Sequence, residues 1–334
     1  MRAIVLEEVG GPDKLVVKEV DNPQPKEGQV LVKLKTAALN RRDVWITLGA
    51  YPKINLPAIC GSDGAGVIEK CGAGVDDKLV GQESIIYPAL NWGENPRCGG
   101  ADFRVLGMPE QGTFAEYICV PRSSIFPKPI HLSWEEAAAL PLAGLTSWRA
   151  TFSHGELKKN ERILITGIGG GCATFVLQWA KATGAMPYVT SSDENKLEQA
   201  LKLGAITGFN YKKEGWEKEA KRFSGGFDLI VDSGGGDRLN YLLDTLNPGG
   251  RYVFFGATQG DATKGLSMAK LFFKQIRIQG STMGSESEFA EMIEFVEKHN
   301  ITPTVDKVYP LEHGVEAHHR MLNSEQTGKI VITF

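Results

Sequence analysis

The sequence predicts an α/β protein of two domains, one rich in β-strands and one built on a doubly wound parallel sheet. The chain has 334 residues, which is too many for one ordinary hydrophobic core. Up to about residue 123, short β-branched runs alternate with Gly and Pro breaks. Beyond residue 131, strand and helix patterns alternate, which is typical of a parallel sheet covered by helices on both faces.

Composition excludes several classes of function. The formal net charge of -3 provides no basic surface for nucleic acid or anionic membranes. No apolar run approaches the roughly 18 residues of a membrane span. The first residues read as a strand rather than a signal peptide, and the five cysteines are scattered. We therefore expect a cytoplasmic protein without disulfides that acts on a small-molecule substrate.

The β-rich part contains five runs of strand length. Alternating or β-branched patterns predict strands at 14–20, 29–39, 64–72, 78–86 and 112–120. The intervening stretch 87–111 is rich in glycine and predicts a long loop, which in a compact domain is usually functional.

The second part opens with a helix start and then alternates. Ser133 followed three residues later by Glu136 is the pattern of a capping box. Strands are then predicted at 162–168, 186–192, 227–235 and 251–257, and helices at 173–184, 195–204 and 239–250. A helix at 287–300 and a strand at 329–334 follow, and we expect that strand to return to the sheet of the first domain.

The strongest motif is "ILITGIGGGCATFVLQWAKATGA", in which a buried strand runs through glycines into a helix. Glycines let the backbone approach a pyrophosphate, and the helix N-terminus supplies unpaired N–H groups and positive partial charge. The alternative is a tight strand–helix turn without a ligand. On the nucleotide interpretation, the cofactor-binding residues are Gly167, Gly169, Gly170, Gly171, Cys172 and Ala173.

The end of the next strand favours NADP over NAD. Ser191 and Ser192 stand where an NAD site usually carries a carboxylate for the ribose hydroxyls. Hydroxyls can donate to a 2′-phosphate, and Lys196 adds a cation one helical turn later. Asp193 and Glu194 are expected to cap the next helix. The alternative for Lys196 alone is a solvated surface lysine.

These motifs, together with "GSDGAGVIEKCGAGV", "GTFAEYICVP", "LPLAGLTSW" and "GKIVITF", resemble the medium-chain dehydrogenase/reductase superfamily from end to end. The resemblance implies a GroES-like catalytic domain of residues 1–130 and 284–334 around a Rossmann domain of residues 131–283. The zinc-independent quinone oxidoreductase-like branch is most similar, and its glycine loop matches Gly167, Gly170 and Ala173. In that branch a Lys and a Tyr bind the 2′-phosphate, which implies these roles for Lys196 and Tyr211. Homodimers, or homotetramers, joined through Rossmann edge strands are also implied.

The zinc branch of the superfamily differs at its ligand positions. Its catalytic zinc is bound by a Cys, a His and a Cys at the positions that are here Asn40, Ser62 and Leu142. Its structural zinc needs four cysteines, whereas the corresponding loop here has only Cys98. We therefore expect no metal.

The resemblance also implies the catalytic residues. Tyr51 aligns with the tyrosine that donates a proton in enoyl thioester reductases, although it could simply pack beside Pro52. Asn40 and Asp43 orient around the nicotinamide in related reductases, and their spacing places them on one side of a helical turn. Further cofactor contacts are expected from Thr146, Phe255, Gly256 and Ser281. Thr146 could instead bond its own helix backbone, and the six histidines are expected at the surface.

The sequence thus predicts an NADPH-dependent reductase that transfers hydride to a quinone or an activated alkene without zinc. Two alternatives stay open. One is an alcohol or aldehyde dehydrogenase of the same superfamily, and the other is a non-catalytic NADPH-binding protein.

Overall fold

The structure is a computed structural model that describes all residues from 1 to 334. Its strands are β1 (Arg2–Leu6), β2 (Leu15–Glu19), β3 (Gln29–Ala38), β4 (Ala58–Ile59), β5 (Asp63–Cys71), β6 (Glu83–Ile86), β7 (Ala89–Leu90), β8 (Arg104–Val105), β9 (Tyr117–Pro121), β10 (Ile125–Pro127), β11 (Arg162–Ile165), β12 (Met186–Ser191), β13 (Thr207–Asn210), β14 (Phe227–Asp232), β15 (Leu246–Phe254), β16 (Arg277–Gly280), β17 (Val305–Pro310) and β18 (Lys329–Thr333).

The α-helices are α1 (Arg41–Thr47), α2 (Trp134–Ala139), α3 (Pro141–Trp148), α4 (Gly171–Thr183), α5 (Glu194–Leu203), α6 (Trp216–Ser224), α7 (Leu239–Thr245), α8 (Met268–Lys274), α9 (Glu286–His299) and α10 (Gly314–Leu322). None of them is long and apolar enough to span a membrane. All five cysteines are free thiols in this structure.

The chain forms two compact units. Unit 1 comprises Met1–Leu145 and Gly284–Phe334, and unit 2 comprises Thr146–Met283. The first division lies beyond the predicted boundary at 130/131, because α2 packs on β3, β5 and β18 and so belongs to unit 1. This helix begins with the predicted capping box, in which the Ser133 hydroxyl accepts the Glu136 N–H.

Unit 1 is built on a seven-stranded sheet in the order β10-β6-β5-β3-β18-β17, with β9 also paired to β3. The strand β18 lies antiparallel to β3, so that Val331 faces Ala38 and the expected return of the late strand is confirmed. In α10, His318 is fully buried. The prediction that all histidines lie at the surface was therefore wrong, because this residue lies on the inward face of an amphipathic helix.

Unit 2 is built on six parallel strands in the order β13-β12-β11-β14-β15-β16. The predicted alternation of strands and helices is confirmed. The helix predicted at 239–250 is shorter, because Pro248 and Gly249, the latter at φ +76°, cannot continue it. The strands β13 and β16 and the helices α6 and α8 were missed, because each is too short to show a hydrophobic repeat over the longer window that such a prediction needs.

Candidate active site and cofactor site

The carboxyl edge of the parallel sheet in unit 2 gathers the predicted cofactor residues. In such sheets, ligands bind at this edge where the strand order reverses, which here is between β11 and β14. The predicted residues that end or directly follow β11, β12, β13, β15 and β16 are Gly167, Ser191, Ser192, Tyr211, Phe255, Gly256 and Ser281. The topology therefore brings segments that are far apart in sequence to one edge.

The glycine loop forms a tight turn from β11 into α4. Gly167 has φ +64°, a left-handed conformation that side chains rarely adopt. The turn is fixed by the Ile168 N–H, which donates to the Thr190 carbonyl at 3.0 Å. Gly170 is the N-cap of α4. The first turn of such a helix presents N–H groups without intrahelical acceptors, which suits a phosphate.

The other predicted residues of this loop lie either in the turn itself or in the first turn of α4. Gly169 lies in the turn, and Gly171, Cys172 and Ala173 form the first turn of α4. Ala173 is buried and packs in the core between α4 and the sheet, whereas Cys172 is half-buried. A small residue at the position of Ala173 lets the helix approach the sheet closely.

A cavity of about 80 Å³ lies at this edge and is lined in part by Thr166, Gly167, Tyr211, Asp232, Ser233 and Arg238. Asp232 is buried and accepts the N–H groups of Gly234 at 3.0 Å and Gly235 at 2.8 Å. It also accepts the hydroxyls of Thr166 and Tyr252. Burial raises the pKa of Tyr252, and the adjacent carboxylate raises it further. These bonds shape the loop after β14, a role that the sequence analysis missed although "VDSGGG" ends a strand.

The segments after β12 and β13 meet beside Arg238. The Tyr211 hydroxyl donates to Ser192 Oγ at 3.2 Å, and the Arg238 guanidinium lies 4.1 Å from the centroid of the Tyr211 ring. Lys196 lies half-buried in the first turn of α5. Ser191 is buried, and its hydroxyl accepts the N–H of Asp193 at 3.1 Å. Arg238 was missed because it lies in a short 3₁₀ turn without a recognisable pattern.

Acidic residues near this corner have other partners. Asp193 caps α5 by accepting the N–H of Asn195 at 2.8 Å, as predicted. Glu194 accepts from Asn210 at 2.8 Å and lies 3.1 Å from the Lys213 ammonium. These interactions partly compensate the negative charge of both carboxylates.

The remaining predicted residues of unit 2 are placed by packing and backbone bonds. The Thr146 hydroxyl lies 3.7 Å from the Met283 sulfur. A Cβ at Gly256 would lie 2.9 Å from the Ser233 carbonyl oxygen, so this position requires glycine. Phe255 packs against the core beside the sheet, and the Ser281 N–H donates to the Phe254 carbonyl at 2.8 Å.

Unit 1 contains a buried ion pair at the junction of β18, β5 and the start of α1. The Lys329 ammonium donates to Asp63 Oδ2 at 2.8 Å, to Asn40 Oδ1 at 2.7 Å and to the Leu39 carbonyl at 2.7 Å. Asp63 also accepts from Asn40 Nδ2 at 2.9 Å and from the Leu142 N–H at 2.7 Å. All three ammonium protons thus have acceptors, which is what a buried charge requires.

Asn40 and Asp43 lie on one side of a helical turn, as their spacing predicts. Asn40 is the N-cap of α1, and its N–H donates to Asp43 Oδ2 at 2.7 Å. Asp43 is fully buried, and its other oxygen has no hydrogen-bond partner in the protein. Burial raises the pKa of Asp43 to about 6, because desolvation disfavours the carboxylate.

Arg42, on the first turn of α1, joins Tyr51 to the segment that contains Ser62. Its Nη1 donates to Ser62 Oγ at 2.5 Å and to the Leu106 carbonyl at 2.7 Å. Its Nε donates to the Tyr51 hydroxyl at 3.2 Å, and its guanidinium carbon lies 4.7 Å from the centroid of the Tyr51 ring. Arg42 was not among the predicted site residues, because nothing in "RR" distinguishes it from Arg41.

The positions that bind zinc in the zinc branch do not fit a zinc ion here. Asn40 Oδ1 accepts from the Lys329 ammonium, Ser62 Oγ accepts from the Arg42 guanidinium, and Leu142 offers no ligand atom. Burial raises the pKa of the neighbouring Cys60 thiol to about 12, which disfavours the thiolate that zinc requires. No group of three or more His, Cys, Asp or Glu side chains could hold a metal.

Comparisons with known proteins find dehydrogenase family models that match both parts of the chain. Residues 26–130 match the family model of the alcohol dehydrogenase GroES-like domain, and residues 171–298 match that of zinc-binding dehydrogenase. A zinc-type alcohol dehydrogenase-like protein of Schizosaccharomyces pombe is 36% identical over 99% of both chains. A quinone oxidoreductase of Mus musculus is 29% identical over 99% of this chain and 97% of its own.

A solved structure of an NAD-dependent alcohol dehydrogenase superposes with a TM-score of 0.94 at 36% identity, covering 100% of both chains. The predicted fold class, a GroES-like domain with a Rossmann-like parallel-sheet domain, is thereby confirmed. The chain belongs to the medium-chain dehydrogenase/reductase superfamily, whose members are oxidoreductases that bind a nicotinamide cofactor.

Proposed function

We propose that the protein is an NADPH-dependent reductase of the quinone oxidoreductase-like branch, which reduces a quinone or an activated alkene such as an enone without zinc. The observation that carries this proposal is the hydrogen bonding at the zinc-branch positions. The Asn40 and Ser62 oxygens accept hydrogen bonds from Lys329 and Arg42, and the Tyr51 hydroxyl accepts one from Arg42 as well. Such a site offers a proton donor but no Lewis acid. The similarity to a quinone oxidoreductase supports the same reaction class.

Different residues of this chain would donate the proton and position the reacting groups in such a reaction. A bound reduced nicotinamide supplies the hydride. Tyr51 is the proposed proton donor, because it is only partly buried beside the core of unit 1 and its phenol carries a proton that can be transferred. Asn40 and Asp43 are positioning residues: both are buried, and they fix the start of the helix that carries Arg42.

The cofactor is proposed to be NADP(H). Tyr211 contacts both Ser192 and Arg238 at the carboxyl edge, and Lys196 lies in the first turn of α5. Hydroxyls with two cations suit a 2′-phosphate, whereas the nearest carboxylates are used by a helix cap and an ion pair. The glycine loop and the first turn of α4 would hold the pyrophosphate.

A specific observation supports one alternative, an alcohol or aldehyde dehydrogenase. A zinc-type alcohol dehydrogenase-like protein and an NAD-dependent alcohol dehydrogenase are each 36% identical to this chain, which favours an alcohol or aldehyde dehydrogenase. Stoichiometric zinc in the purified protein, or loss of turnover on chelation, would establish that alternative and refute the zinc-free proposal.

The test is a comparison of NADPH and NADH on one quinone, one enone and one aldehyde, with cofactor Kd values measured by fluorescence. We expect turnover with NADPH on the quinone or the enone. Arg238→Met should raise the Kd for NADPH about tenfold or more and leave that for NADH nearly unchanged, since a charged hydrogen bond contributes about 1.5–3 kcal/mol.

Arg222→Met is the control, because Arg222 is exposed in the last turn of α6 and does not line the cavity. Equal weakening of NADH and NADPH binding by Arg238→Met would contradict the 2′-phosphate role. NADPH binding without turnover of any of the three substrates would favour a non-catalytic binding protein.

A further inference from the structure

Arg42 is a buried cation with one terminal nitrogen unused. Only 7% of the residue is exposed. Its Nε and Nη1 donate to Tyr51, Ser62 and the Leu106 carbonyl, whereas Nη2 is buried and has no hydrogen-bond partner in the protein. An unpaired buried donor destabilises a folded protein, and a charged one does so more strongly. The Nη2 group of Arg42 can therefore donate a hydrogen bond to an acceptor atom on a bound ligand.

The surroundings of Arg42 make it the cation nearest to the proposed proton donor. Lys329, the other buried cation of unit 1, has all its ammonium protons bound to Asp63, Asn40 and the Leu39 carbonyl. Arg41, the neighbouring residue on α1, donates instead to the Met321 carbonyl at 2.6 Å and to Ser324 Oγ at 3.0 Å. The hydrogen bond and the ring contact of Tyr51 are both with Arg42.

The hydrogen bond between Arg42 and Tyr51 also determines whether the Tyr51 hydroxyl can act as a donor or as an acceptor toward a ligand. Because Arg42 Nε donates to the Tyr51 oxygen, one lone pair of that oxygen is used and its own O–H proton is directed elsewhere. The ring lies against the guanidinium at 4.7 Å, which limits its rotation. Arg42 therefore orients Tyr51 as a donor rather than as an acceptor.

We propose that Arg42 supplies the positive charge of the catalytic centre: its Nη2 binds the substrate oxygen that becomes negative, and its Nε holds Tyr51 in position to protonate the neighbouring carbon. This inference rests on the proposed function and adds its substrate class, compounds in which a carbonyl oxygen gains charge during reduction. Preorganised donors of this kind are usually the largest electrostatic contribution to catalysis.

In the reduction of an enone, the electrons come from the reduced cofactor and the proton comes from Tyr51. Hydride adds two electrons and one hydrogen to the β-carbon, and the π electrons of the alkene move to form an enolate whose oxygen faces Arg42. Tyr51 transfers its proton to the α-carbon, and water returns a proton to the phenolate. Reduced cofactor, enone and one proton thus give oxidised cofactor and a saturated ketone.

The first experiment follows the stereochemistry of protonation on 2-methylcyclohex-2-enone, whose α-carbon becomes a stereocentre. We expect the wild-type protein with NADPH to give predominantly one enantiomer. Arg42→Met and Tyr51→Phe should give a nearly racemic product early in the reaction, because water then protonates the enolate. Arg42→Met should also lower kcat about 10²–10³-fold, the usual loss for one oxyanion donor.

Two variants control for structural damage. Arg41→Met removes a charge from the same helix without touching Tyr51, and it should keep both the rate and the stereochemistry. Arg42→Lys keeps the charge and a donor, so it should retain part of the stereochemical preference even if Arg42→Met is destabilised. Unchanged stereochemistry in both Arg42 variants would overturn the inference.

A second experiment needs no turnover. With 4-nitrophenol as the probe, the wild-type protein should bind the coloured phenolate in preference to the phenol, and Arg42→Met should lose that preference. No preference in the wild-type protein would refute anion binding by Arg42. If the wild-type protein reduces no enone or quinone but still selects the phenolate, the proposed function fails and the role of Arg42 stands.

Discussion

At the scale of single residues, His318 shows how strongly this fold constrains a titratable group. It is fully buried on α10, its Nδ1–H donates to the Gly314 carbonyl at 2.7 Å, and Phe114 lies edge-on with ring centroids 5.4 Å apart. Nε2 has no partner in the protein. Burial lowers the pKa of His318 from 6.5 to about 4, because the apolar surroundings cannot solvate a second proton.

We predict that His318 makes the protein sensitive to acid. Between pH 6.5 and about 4, the unfolded chain binds a proton that the folded chain does not, so the free energy of unfolding falls as the pH falls. The two pKa values imply a loss of about 3 kcal/mol. Denaturant titrations at pH 7 and pH 4.5 should show a smaller pH dependence for His318→Gln, which keeps a donor for Gly314. The same pH dependence in both proteins would contradict this assignment.

At the scale of elements, the Lys329–Asp63 pair connects β18 to β5 and to the start of α1. Both side chains are buried, and each has further hydrogen bonds. Removal of one partner from such a pair leaves an uncompensated charge, whereas removal of both leaves only a packing defect.

We predict that Lys329→Met lowers the free energy of unfolding by about 3–5 kcal/mol. The double variant Lys329→Met with Asp63→Asn should recover part of that loss, because no charge is then left buried. Unfolding in urea measures both. Lys14→Met, which breaks the exposed pair with Glu8, is the control and should change stability little. A double variant as unstable as the sum of its single variants would argue against a coupled pair.

Sequence reasoning located the elements whose signals are local. The Ser133 cap and the turn at Gly167 depend on residues within one turn, and both are predicted from spacing and glycine alone. Partners that meet only in the folded protein leave no such signal: Lys329 lies 266 residues from Asp63, and Arg238 meets Tyr211 only because two strand ends are adjacent. The fold class and Lys196 were therefore predictable, whereas the cations Arg42, Lys329 and Arg238 were not.

At the scale of the whole molecule, unit 2 has a strand with one unpaired edge at one end of its sheet and exposed aromatic residues on the helix that precedes this strand. The strand β16 pairs only with β15. On the preceding helix α8, Phe272 is 63% exposed and Phe273 is 77% exposed. Monomeric proteins rarely expose adjacent aromatic residues beside an unpaired strand. We propose that a second copy of this chain covers this strand edge and these aromatic residues, which accords with the homodimer expected from the sequence.

We predict that Phe272→Ser with Phe273→Ser converts a dimer into a monomer. Light scattering after size-exclusion chromatography measures the mass of each species. Phe223→Ser is the control, since Phe223 is 62% exposed on α6, which packs beside β13 at the opposite edge of the sheet. A wild-type protein that is monomeric at micromolar concentration, or a double variant that stays dimeric, would exclude this interface.

Unit 1 is made of two chain segments that flank unit 2, and this arrangement determines the order in which the two units can fold during translation. Residues 146–283 are contiguous and can fold as soon as they leave the ribosome, whereas the sheet of unit 1 lacks β17 and β18 until residues 305–333 have been added. Until then, the strand edge of β3 from Thr36 to Ala38 is open, and Asp63 has no ammonium partner. During translation, the nascent chain therefore exposes an unpaired strand edge and an uncompensated carboxylate until its last strand has been added.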